Sequence, residues 1–278
     1  MSRPKSEKRS WRQVLLTWTH PRVITMLFLG FSAGIPILLI FSTLSVWLRE
    51  AGVARSAVTF FSWAALGYSF KFVWAPLIDK LPLPFLTRFF GRRRAWMLVS
   101  QTLVITAIVG MASIDPSGSE AALTMMAIAA VILGFSSATQ DIVIDAYRIE
   151  CIEESYQALL ASSYIAGYRI GMVVAGAGSL FLASAYGTTT DNYLYTAWRS
   201  TYLTIAVVML VGVLTTLIIP EPERNRDRSI YKYSSEQNKA HFLGNRQFYN
   251  NICTSHWIKN NINNGKYIRL EDGSLWQI

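Results

Sequence analysis

Charged side chains are scarce in this sequence. They make up 15% of its 278 residues, whereas apolar residues make up 52%, and a soluble domain usually carries about 25% charged residues. This composition argues against a soluble globular protein and against a disordered one. Cysteine is also scarce. Cys151 and Cys253 are too few for a disulfide framework, and neither belongs to a CxxC or Cys/His cluster that would indicate a zinc site.

Sequence signatures of enzymes are missing as well. The three histidines, His20, His241 and His256, lie outside the long apolar runs and form no HExxH pattern. The sequence contains no Walker loop and no GxGxxG fingerprint. We therefore expect a protein that is not an enzyme and that binds no metal or cofactor.

The sequence does contain six apolar runs, each close to the roughly 20 residues that a membrane-spanning helix needs. They cover residues 23–48, 56–78, 95–114, 121–146, 157–185 and 201–219. Pro220 and Pro222 end the sixth run, because proline cannot continue a helix. The first run is too long for a signal peptide, and no small-residue cleavage site follows it. The sequence predicts an all-α protein with six helices in a lipid bilayer.

Lysine and arginine beside these runs predict the orientation. The net charge is +9, but the basic residues form short clusters between apolar runs, which is typical of a membrane protein rather than a nucleic-acid partner. Of eighteen flanking cations, fifteen lie on one side of the predicted membrane. Those fifteen are Arg3, Lys5, Lys8, Arg9, Arg12, Arg22, Lys80, Arg88, Arg92, Arg93, Arg94, Arg148, Arg224, Arg226 and Arg228, and the other three are Arg49, Arg55 and Arg199. This side is therefore expected to be cytoplasmic, together with both termini.

The sequence thus divides into three parts. Residues 1–22 form a cytoplasmic N-terminus, in which Trp11 and Trp18 indicate a short interfacial helix. Residues 23–219 form a six-helix transmembrane part, in which Trp47 is expected in an aromatic belt at the outer interface. Residues 220–278 form a polar cytoplasmic tail.

The tail differs in composition from the rest of the chain. Nine of the ten asparagines follow Glu221, and no later run is apolar enough to span a bilayer. Residues 266–270 and 275–278 are predicted to pair as a hairpin around an Asp-Gly turn. A fusion or a shifted reading frame explains the abrupt change, and so does a variable cytoplasmic extension.

Ionisable residues inside a spanning helix are energetically costly and therefore mark functional candidates. Arg169 lies about 12 residues into the fifth run and so about 18 Å deep, near the membrane midplane. Two roles fit this position. Its planar guanidinium binds an anionic substrate group in a watery cavity, or it forms a structural ion pair with an aspartate of the fourth run.

The fourth run ends in a polar face. Asp141, Asp145 and Arg148 are spaced i, i+4, i+7 and share one side of a helix. Asp145 and Arg148 are expected to pair at the cytoplasmic interface, whereas Gln140 and Asp141 lie deeper, where a buried carboxyl can take up and release a proton. Lys71, near the cytoplasmic end of the second run, is expected to snorkel to that interface.

Small residues predict close contacts between helices. In the fifth run they recur every four positions, a spacing that lets helix backbones approach each other. The repeat consists of Gly167, Gly171, Ala175 and Ser179. In the first run, Gly30, Gly34 and Pro36 indicate either a kink or backbone that lines a cavity.

The segment between the second and third runs is similar to the signature loop of the Major Facilitator Superfamily. In that family an acidic residue at the end of helix 2 and a Gly-Arg-Arg group before helix 3 gate the cytoplasmic side. The corresponding residues here are Asp79, Gly91, Arg92 and Arg93, with a longer spacing than usual and with Trp74-Ala75-Pro76 in place of the leading glycine. The resemblance implies a cytoplasmic gate formed by Asp79, Gly91, Arg92, Arg93, Asp145 and Arg148.

Four stretches together resemble the AmpG-type muropeptide permeases. They are LGFSAGIP (29–36), KFVWAPLID (71–79), ATQDIVIDAYR (138–148) and GYRIG (167–171), and the resemblance covers roughly residues 21–223. It implies a bacterial inner-membrane importer of anhydro-muropeptides that is driven by the proton gradient and serves peptidoglycan recycling and β-lactamase induction. We expect substrate contacts from Arg169, Gln140, Tyr168 and Gly34, and proton coupling by Asp141.

The family fold has twelve helices in two halves with the substrate site between them, and this chain resembles only the N-terminal half. We expect a second copy, another chain that supplies the second half, or a truncated protein without transport. Two other classes stay open. One is a membrane-anchored module whose tail binds a partner, and the other is a transporter of another bulky anion such as an acyl-CoA.

Overall fold

The computed structural model describes residues 19–54, 61, 68–151, 156–189 and 192–222, together with two short strands near the C-terminus. The chain divides into two compact units, Met1–Glu223 and Arg224–Ile278. The interfacial helix predicted near Trp11 and Trp18 lies outside the described residues.

Seven helices are described in the first unit. They are α1 (Pro21–Glu50), α2 (Lys71–Lys80), α3 (Leu86–Phe90), α4 (Arg92–Ala112), α5 (Glu120–Glu150), α6 (Gln157–Ala185) and α7 (Tyr195–Ile218). Of these, α1, α4, α5, α6 and α7 are long and apolar enough to cross a membrane, and they correspond to five of the six predicted runs. The remaining run, residues 56–78, is described only in part, and its end is occupied by α2.

Local sequence accounts for the helix ends. Ser119 caps α5, because its Oγ accepts a hydrogen bond from the Ala122 amide at 3.2 Å. Ile219 is extended, as expected for a residue before proline, and Pro220 follows the end of α7. α6 has the bounds predicted from its apolar run, whereas α7 begins at Tyr195, ahead of the predicted start at residue 201.

Two π-helical turns interrupt the regular winding of α1 and α6. They are Leu39–Thr43, shortly after Pro36, and Val174–Gly178. The Thr43 Oγ1 donates a hydrogen bond to the Ala175 carbonyl at 2.7 Å, so the two turns are tied to each other. Extra carbonyls freed by a π turn need such partners inside a membrane, where water is absent.

The five long helices pack against one another, with α1 in contact with three of the other four. α1 packs most extensively on α6 and also contacts α5 and α7, while α4 packs on both α5 and α7. Large apolar side chains cover the outside of the bundle, with Phe72, Phe181 and Val207 exposed by 67%, 73% and 65%. Such a surface requires lipid or protein around it.

Trp47 belongs to the core of this bundle. It is 0% exposed and stacks on Trp198 with 5.7 Å between ring centroids. Its Nε1 donates a hydrogen bond to the Tyr193 hydroxyl at 3.2 Å. The prediction of an aromatic-belt residue is therefore wrong, because the indole finds its polar partner inside the protein and not in the lipid headgroups.

The second unit contains the predicted hairpin. Strands β1 (Tyr267–Arg269) and β2 (Leu275–Gln277) pair antiparallel, with Ile268 opposite Trp276. This confirms the hairpin and adds two strands to a chain that is otherwise helical in its described residues, apart from the single bridge between Thr189 and Asn192.

Candidate functional site

Arg93 is the centre of an ion-pair network at one end of the helix bundle. We call this end of the bundle, together with its network, the arginine end. The Arg93 side chain is 3% exposed. Nη1 lies 2.7 Å from Asp79 Oδ1, while Nη2 and Nε donate to Glu150 Oε1 and Oε2 at 2.6 and 2.9 Å. Arg92 adds a hydrogen bond to the Asp79 carbonyl. The predicted pairing of Asp79 with the arginine group is thus present, and it clamps the ends of α2 and α5 to the start of α4.

Glu150, and not Asp145, supplies the α5 carboxylate of this network. Asp145 Oδ1 pairs with Arg148 Nη2 at 3.2 Å, the interfacial pair expected for those two residues. The place of Asp145 in the implied gate stays a prediction. Five residues along a helix correspond to about 7.5 Å of rise and about 140° of rotation, so only Glu150 reaches the level of Arg93.

Glu221 joins the arginine end from the segment after α7. Its two carboxylate oxygens accept hydrogen bonds from the amides of Arg93 and Arg94 at 2.8 and 3.0 Å. These amides belong to the first turn of α4, where a negative charge is favourable. In return, the Arg94 guanidinium donates to the carbonyls of Thr216 and Leu217 at 3.1 and 2.7 Å. The two contacts bind the beginning of α4 to the end of α7.

Gly91 allows this close approach. Its φ of +84° lies in the region that glycine adopts without strain. A Cβ at this position would overlap the Glu221 side chain. The contribution of Gly91 to the predicted gate is therefore conformational.

Asp141 lies deeper in α5 and is only 8% exposed. The Tyr164 hydroxyl of α6 donates a hydrogen bond to Asp141 Oδ1 at 3.3 Å. The charges of Lys71 in α2 and of Asp145 also act on this carboxylate. Asp141 thus lies where α2, α5 and α6 meet, and Lys71 has an electrostatic partner besides the interface to which it was expected to snorkel.

Arg169 lies on an exposed face of α6. Ile165 and Val173, one turn before and after it, are 55% and 63% exposed. Within the described parts of the chain, no carboxylate lies within 4.0 Å of the Arg169 guanidinium. Asp141 and Asp145 instead contact Tyr164 and Arg148. An arginine on a lipid-facing surface is costly, so this face requires water or another protein segment.

The other three residues expected at the substrate site differ in their surroundings. Tyr168 is half-buried beside Tyr164, with 6.0 Å between the rings. Gly34 is buried against the backbone of Tyr168, and Gln140 is 0% exposed and donates to Ser32 Oγ at 3.0 Å. In this structure helix packing covers Gly34 and an internal hydrogen bond engages Gln140, and the substrate contacts expected of both stay predictions.

Glycines on both helices create the tight contact between α1 and α6. A Cβ at any of four positions would overlap backbone atoms of the opposite helix. These positions are Gly30, Gly34, Gly167 and Gly171, opposite Tyr164, Tyr168, Leu27 and Phe31 respectively. The contact confirms the small-residue repeat as a packing signal, and it fixes the backbone of Tyr164, whose hydroxyl reaches Asp141.

Residues 26–255 match the sequence model of the Major Facilitator Superfamily. The chain belongs to this superfamily. The anhydromuropeptide permease of Escherichia coli strain K12 is 36% identical over 210 residues, which cover 76% of this chain and 40% of the permease. A Rickettsia felis protein designated AmpG 4 is 35% identical over 207 residues, 74% of this chain and 47% of that protein. A Rickettsia typhi protein designated AmpG 3 is 35% identical over 208 residues, which cover 74% of this chain and 46% of that protein.

The Major Facilitator chain described here spans less than half the length of these relatives. Together with its five long apolar helices, the family match shows a multi-pass membrane protein and confirms the resemblance to AmpG-type permeases. The matched interval ends inside the polar tail. Among the described residues, no group of three or more His, Cys, Asp or Glu side chains is arranged to hold a metal ion.

Proposed function

We propose that the chain is one half of a proton-coupled importer of anhydro-muropeptides in a bacterial inner membrane, with both termini in the cytoplasm. The substrate class is supported by the similarity to the Escherichia coli anhydromuropeptide permease over 210 residues. The orientation is supported by the excess of Lys and Arg at the arginine end.

The arginine end acts as the cytoplasmic gate. Arg93 holds α2 and α5 to α4 through Asp79 and Glu150, whose side chains are 39% and 27% exposed. Water can therefore solvate both carboxylates when the pairs break. Breaking these pairs lets the helix ends separate, so the network sets the balance between closed and open conformations.

Arg169 supplies the contact to the substrate anion. Its exposed face on α6 forms one wall of a water-filled cavity when a second six-helix half packs against it. A guanidinium binds a carboxylate through two parallel hydrogen bonds, and the stem peptide of a muropeptide carries such carboxylates. The second half comes from another copy of the chain or from a separate polypeptide.

Asp141 couples the binding of a proton to the relative movement of α2, α5 and α6. When it is ionised, it accepts the hydrogen bond from Tyr164 and attracts Lys71. Protonation removes the attraction for Lys71 and weakens the contact with Tyr164. The relation between α2, α5 and α6 therefore depends on the proton at Asp141.

Uptake assays test this function directly. Cells that lack their own permease receive the chain alone, or the chain joined to the second half of the Escherichia coli permease, and are supplied with labelled anhydro-muropeptide. We expect uptake with the joined protein, because one half does not enclose a cavity, and uptake by the chain alone would show that a second copy supplies the other half. A joined protein that inserts and folds without taking up muropeptide contradicts the proposal, and uptake of an acyl-CoA in its place favours a different bulky anion as substrate.

A further inference from the structure

The segment between α2 and α4 exposes aromatic side chains, and we call residues 81–90 the aromatic loop. Phe85 and Phe89 are 82% and 76% exposed. Phe90, in contrast, is half-buried and lies beneath the Arg94 guanidinium, 5.7 Å from the ring centroid. The loop therefore turns one aromatic ring toward the protein and two away from it. Large apolar side chains that are exposed together mark an interaction surface.

The backbone of the loop holds Phe85 outward in a strained turn. The φ and ψ angles of Phe85 are +66° and −58°, and the Leu86 amide donates a hydrogen bond to the Pro84 carbonyl at 2.9 Å. This is a γ-turn with a positive φ, which is rare and strained, above all for a bulky residue. Such strain persists where the surroundings compensate for it, and water does not favour an exposed phenyl ring.

Two cations accompany the exposed rings. Lys80 precedes the loop and Arg88 lies within it, and both are exposed. In the described parts of the chain, no carboxylate lies within 4.0 Å of either cation. The nearby carboxylates Asp79 and Glu150 pair with Arg93 instead. The surface thus combines apolar rings with positive charge, the combination that binds the interface of an anionic membrane.

The aromatic loop lies at the level where the bundle leaves the membrane. It precedes Arg92, the first residue of α4, and a cluster of arginines belongs outside the hydrocarbon core. Trp96, about one turn into α4, donates a hydrogen bond from its Nε1 to the Leu81 carbonyl at 2.8 Å. Tryptophan is enriched at the level of the lipid headgroups, so the loop is expected at that level too.

The position of the loop favours lipid as its neighbour over a second transporter half. α3 packs on α4, which itself packs on α5 and α7. Arg94, which lies over Phe90, also donates to the Leu217 carbonyl near the end of α7 at 2.7 Å, and the next residue, Ile218, is 82% exposed. The loop thus adjoins the apolar outer surface of α7, whereas the face assigned to the second half carries Arg169 and belongs to α6.

We propose that the aromatic loop is a membrane anchor that binds anionic phospholipid at the arginine end. Phe85 and Phe89 enter the boundary between headgroups and acyl chains, and Lys80 and Arg88 bind the lipid phosphates. The anchor fixes the depth at which α2 ends and α4 begins. It uses neither the substrate contact nor the proton carrier of the proposed transport function and is independent of both.

Spin labels test the depth of the loop in the full chain. The chain carries Cys151→Ser and Cys253→Ser, with a nitroxide attached at Phe89→Cys or, as the control, at the exposed Glu120→Cys in the first turn of α5. It is reconstituted in vesicles of phosphatidylcholine and phosphatidylglycerol. Oxygen concentrates in lipid and a nickel chelate in water, so the ratio of their collision rates should be several-fold higher at residue 89 than at residue 120. Equal ratios overturn the proposal, and so does protection of residue 89 from both reagents, which indicates a protein neighbour.

The role of charge is tested at the same label. Arg88→Gln should lower the ratio at residue 89 toward the value found in water, and so should vesicles of phosphatidylcholine alone. Arg199→Gln is the control, because Arg199 is an exposed arginine at the start of α7, and it should leave the ratio unchanged. A ratio that responds to neither Arg88→Gln nor the lipid change overturns the binding of anionic headgroups.

Hydrogen exchange of the unsubstituted chain provides a measurement that does not depend on the folding of any variant. Amides of residues 81–90 should exchange more slowly in vesicles that contain phosphatidylglycerol than in phosphatidylcholine alone. Amides of residues 113–119, in the loop between α4 and α5, should exchange equally in both. Equal exchange of residues 81–90 in the two lipids contradicts the anchor.

Discussion

Among single residues, Glu150 has the most direct effect on the arginine end. It accepts two hydrogen bonds from the Arg93 guanidinium, which is almost fully buried. Breaking a fully buried pair costs about 3–5 kcal/mol, whereas exposed pairs are worth about 0–1 kcal/mol. Because Glu150 is partly exposed, Glu150→Gln should lower the free energy of unfolding by about 1–3 kcal/mol.

The matched control for this prediction is Asp145→Asn on the same helix. Asp145 forms a more exposed i,i+3 pair with Arg148, so its loss should cost about 0–1 kcal/mol. Unfolding of the purified variants in detergent gives both values. Equal effects of the two substitutions would mean that Glu150 is not a stronger anchor than an ordinary surface carboxylate.

Asp115, in the loop between α4 and α5, is expected to make stability depend on pH. Burial acts to raise the pKa of Asp115, but hydrogen bonds from the Ser117 hydroxyl and amide and from the Tyr193 hydroxyl outweigh it and lower the pKa below its ordinary value of 3.8. A carboxyl whose pKa is lowered by folding stabilises the protein fully when the pH is above its unfolded pKa. This stabilisation is lost as the pH falls through its folded pKa.

Asp115→Asn tests this pH dependence. The parent protein should unfold at a higher temperature than the variant near neutral pH, and this advantage should disappear as the pH falls below 3.8. Unfolding midpoints of both proteins measured across that range provide the comparison. A difference that stays constant with pH, or that grows in acid, would show that the charge of Asp115 is not what stabilises the loop.

At the scale of helices, the glycine contact between α1 and α6 is the clearest target. A methyl group at Gly167 would overlap the backbone of Leu27, and overpacking of this kind costs about 1–3 kcal/mol. Gly110→Ala in α4 is the control, because nothing lies within 4 Å of the added carbon and alanine favours a helix by up to about 1 kcal/mol. Gly167→Ala should therefore lower the unfolding midpoint and Gly110→Ala should not. Similar midpoints for both would refute the close backbone contact.

Helices and the small-residue contact were predictable from the sequence because their signals are local. Apolar length located α6 with its observed bounds, and glycine spacing located its contact face. Glu221 carried no such signal. Its partners, the amides of Arg93 and Arg94, are more than a hundred residues away in sequence, and only the packing of α7 on α4 brings them together.

Partners inside the fold also explain two side-chain positions that the sequence could not show. Trp47 and Gln140 belong to residue types that occur at interfaces and binding sites, and the sequence alone does not show whether such a side chain points outward. In the structure both are 0% exposed, since Trp198 and Ser32 provide their contacts. Glu150 could have been predicted as a partner of the arginine group. When two consecutive helices run antiparallel, the end of the second lies beside the start of the first, and here these are α5 and α4.

For the whole molecule, the central feature is an exposed face of α6 that carries Arg169. The chain covers 40% of the Escherichia coli permease, and a transporter of this superfamily encloses its substrate between two halves. In the described chain, Arg169 lacks a carboxylate partner, whereas Arg93 and Arg148 have theirs. This contrast is the reason to place the substrate anion at Arg169.

Uptake by the completed transporter tests this account most directly. The chain joined to the second half of the Escherichia coli permease is compared with its Arg169→Lys and Arg199→Lys variants for accumulation of labelled anhydro-muropeptide under a proton gradient. Arg199 is an exposed arginine at the start of α7 and serves as the control. The account predicts that Arg169→Lys abolishes uptake at normal membrane insertion, because lysine lacks the two-pronged donor geometry, and that Arg199→Lys retains it. Parental uptake by Arg169→Lys would contradict the account.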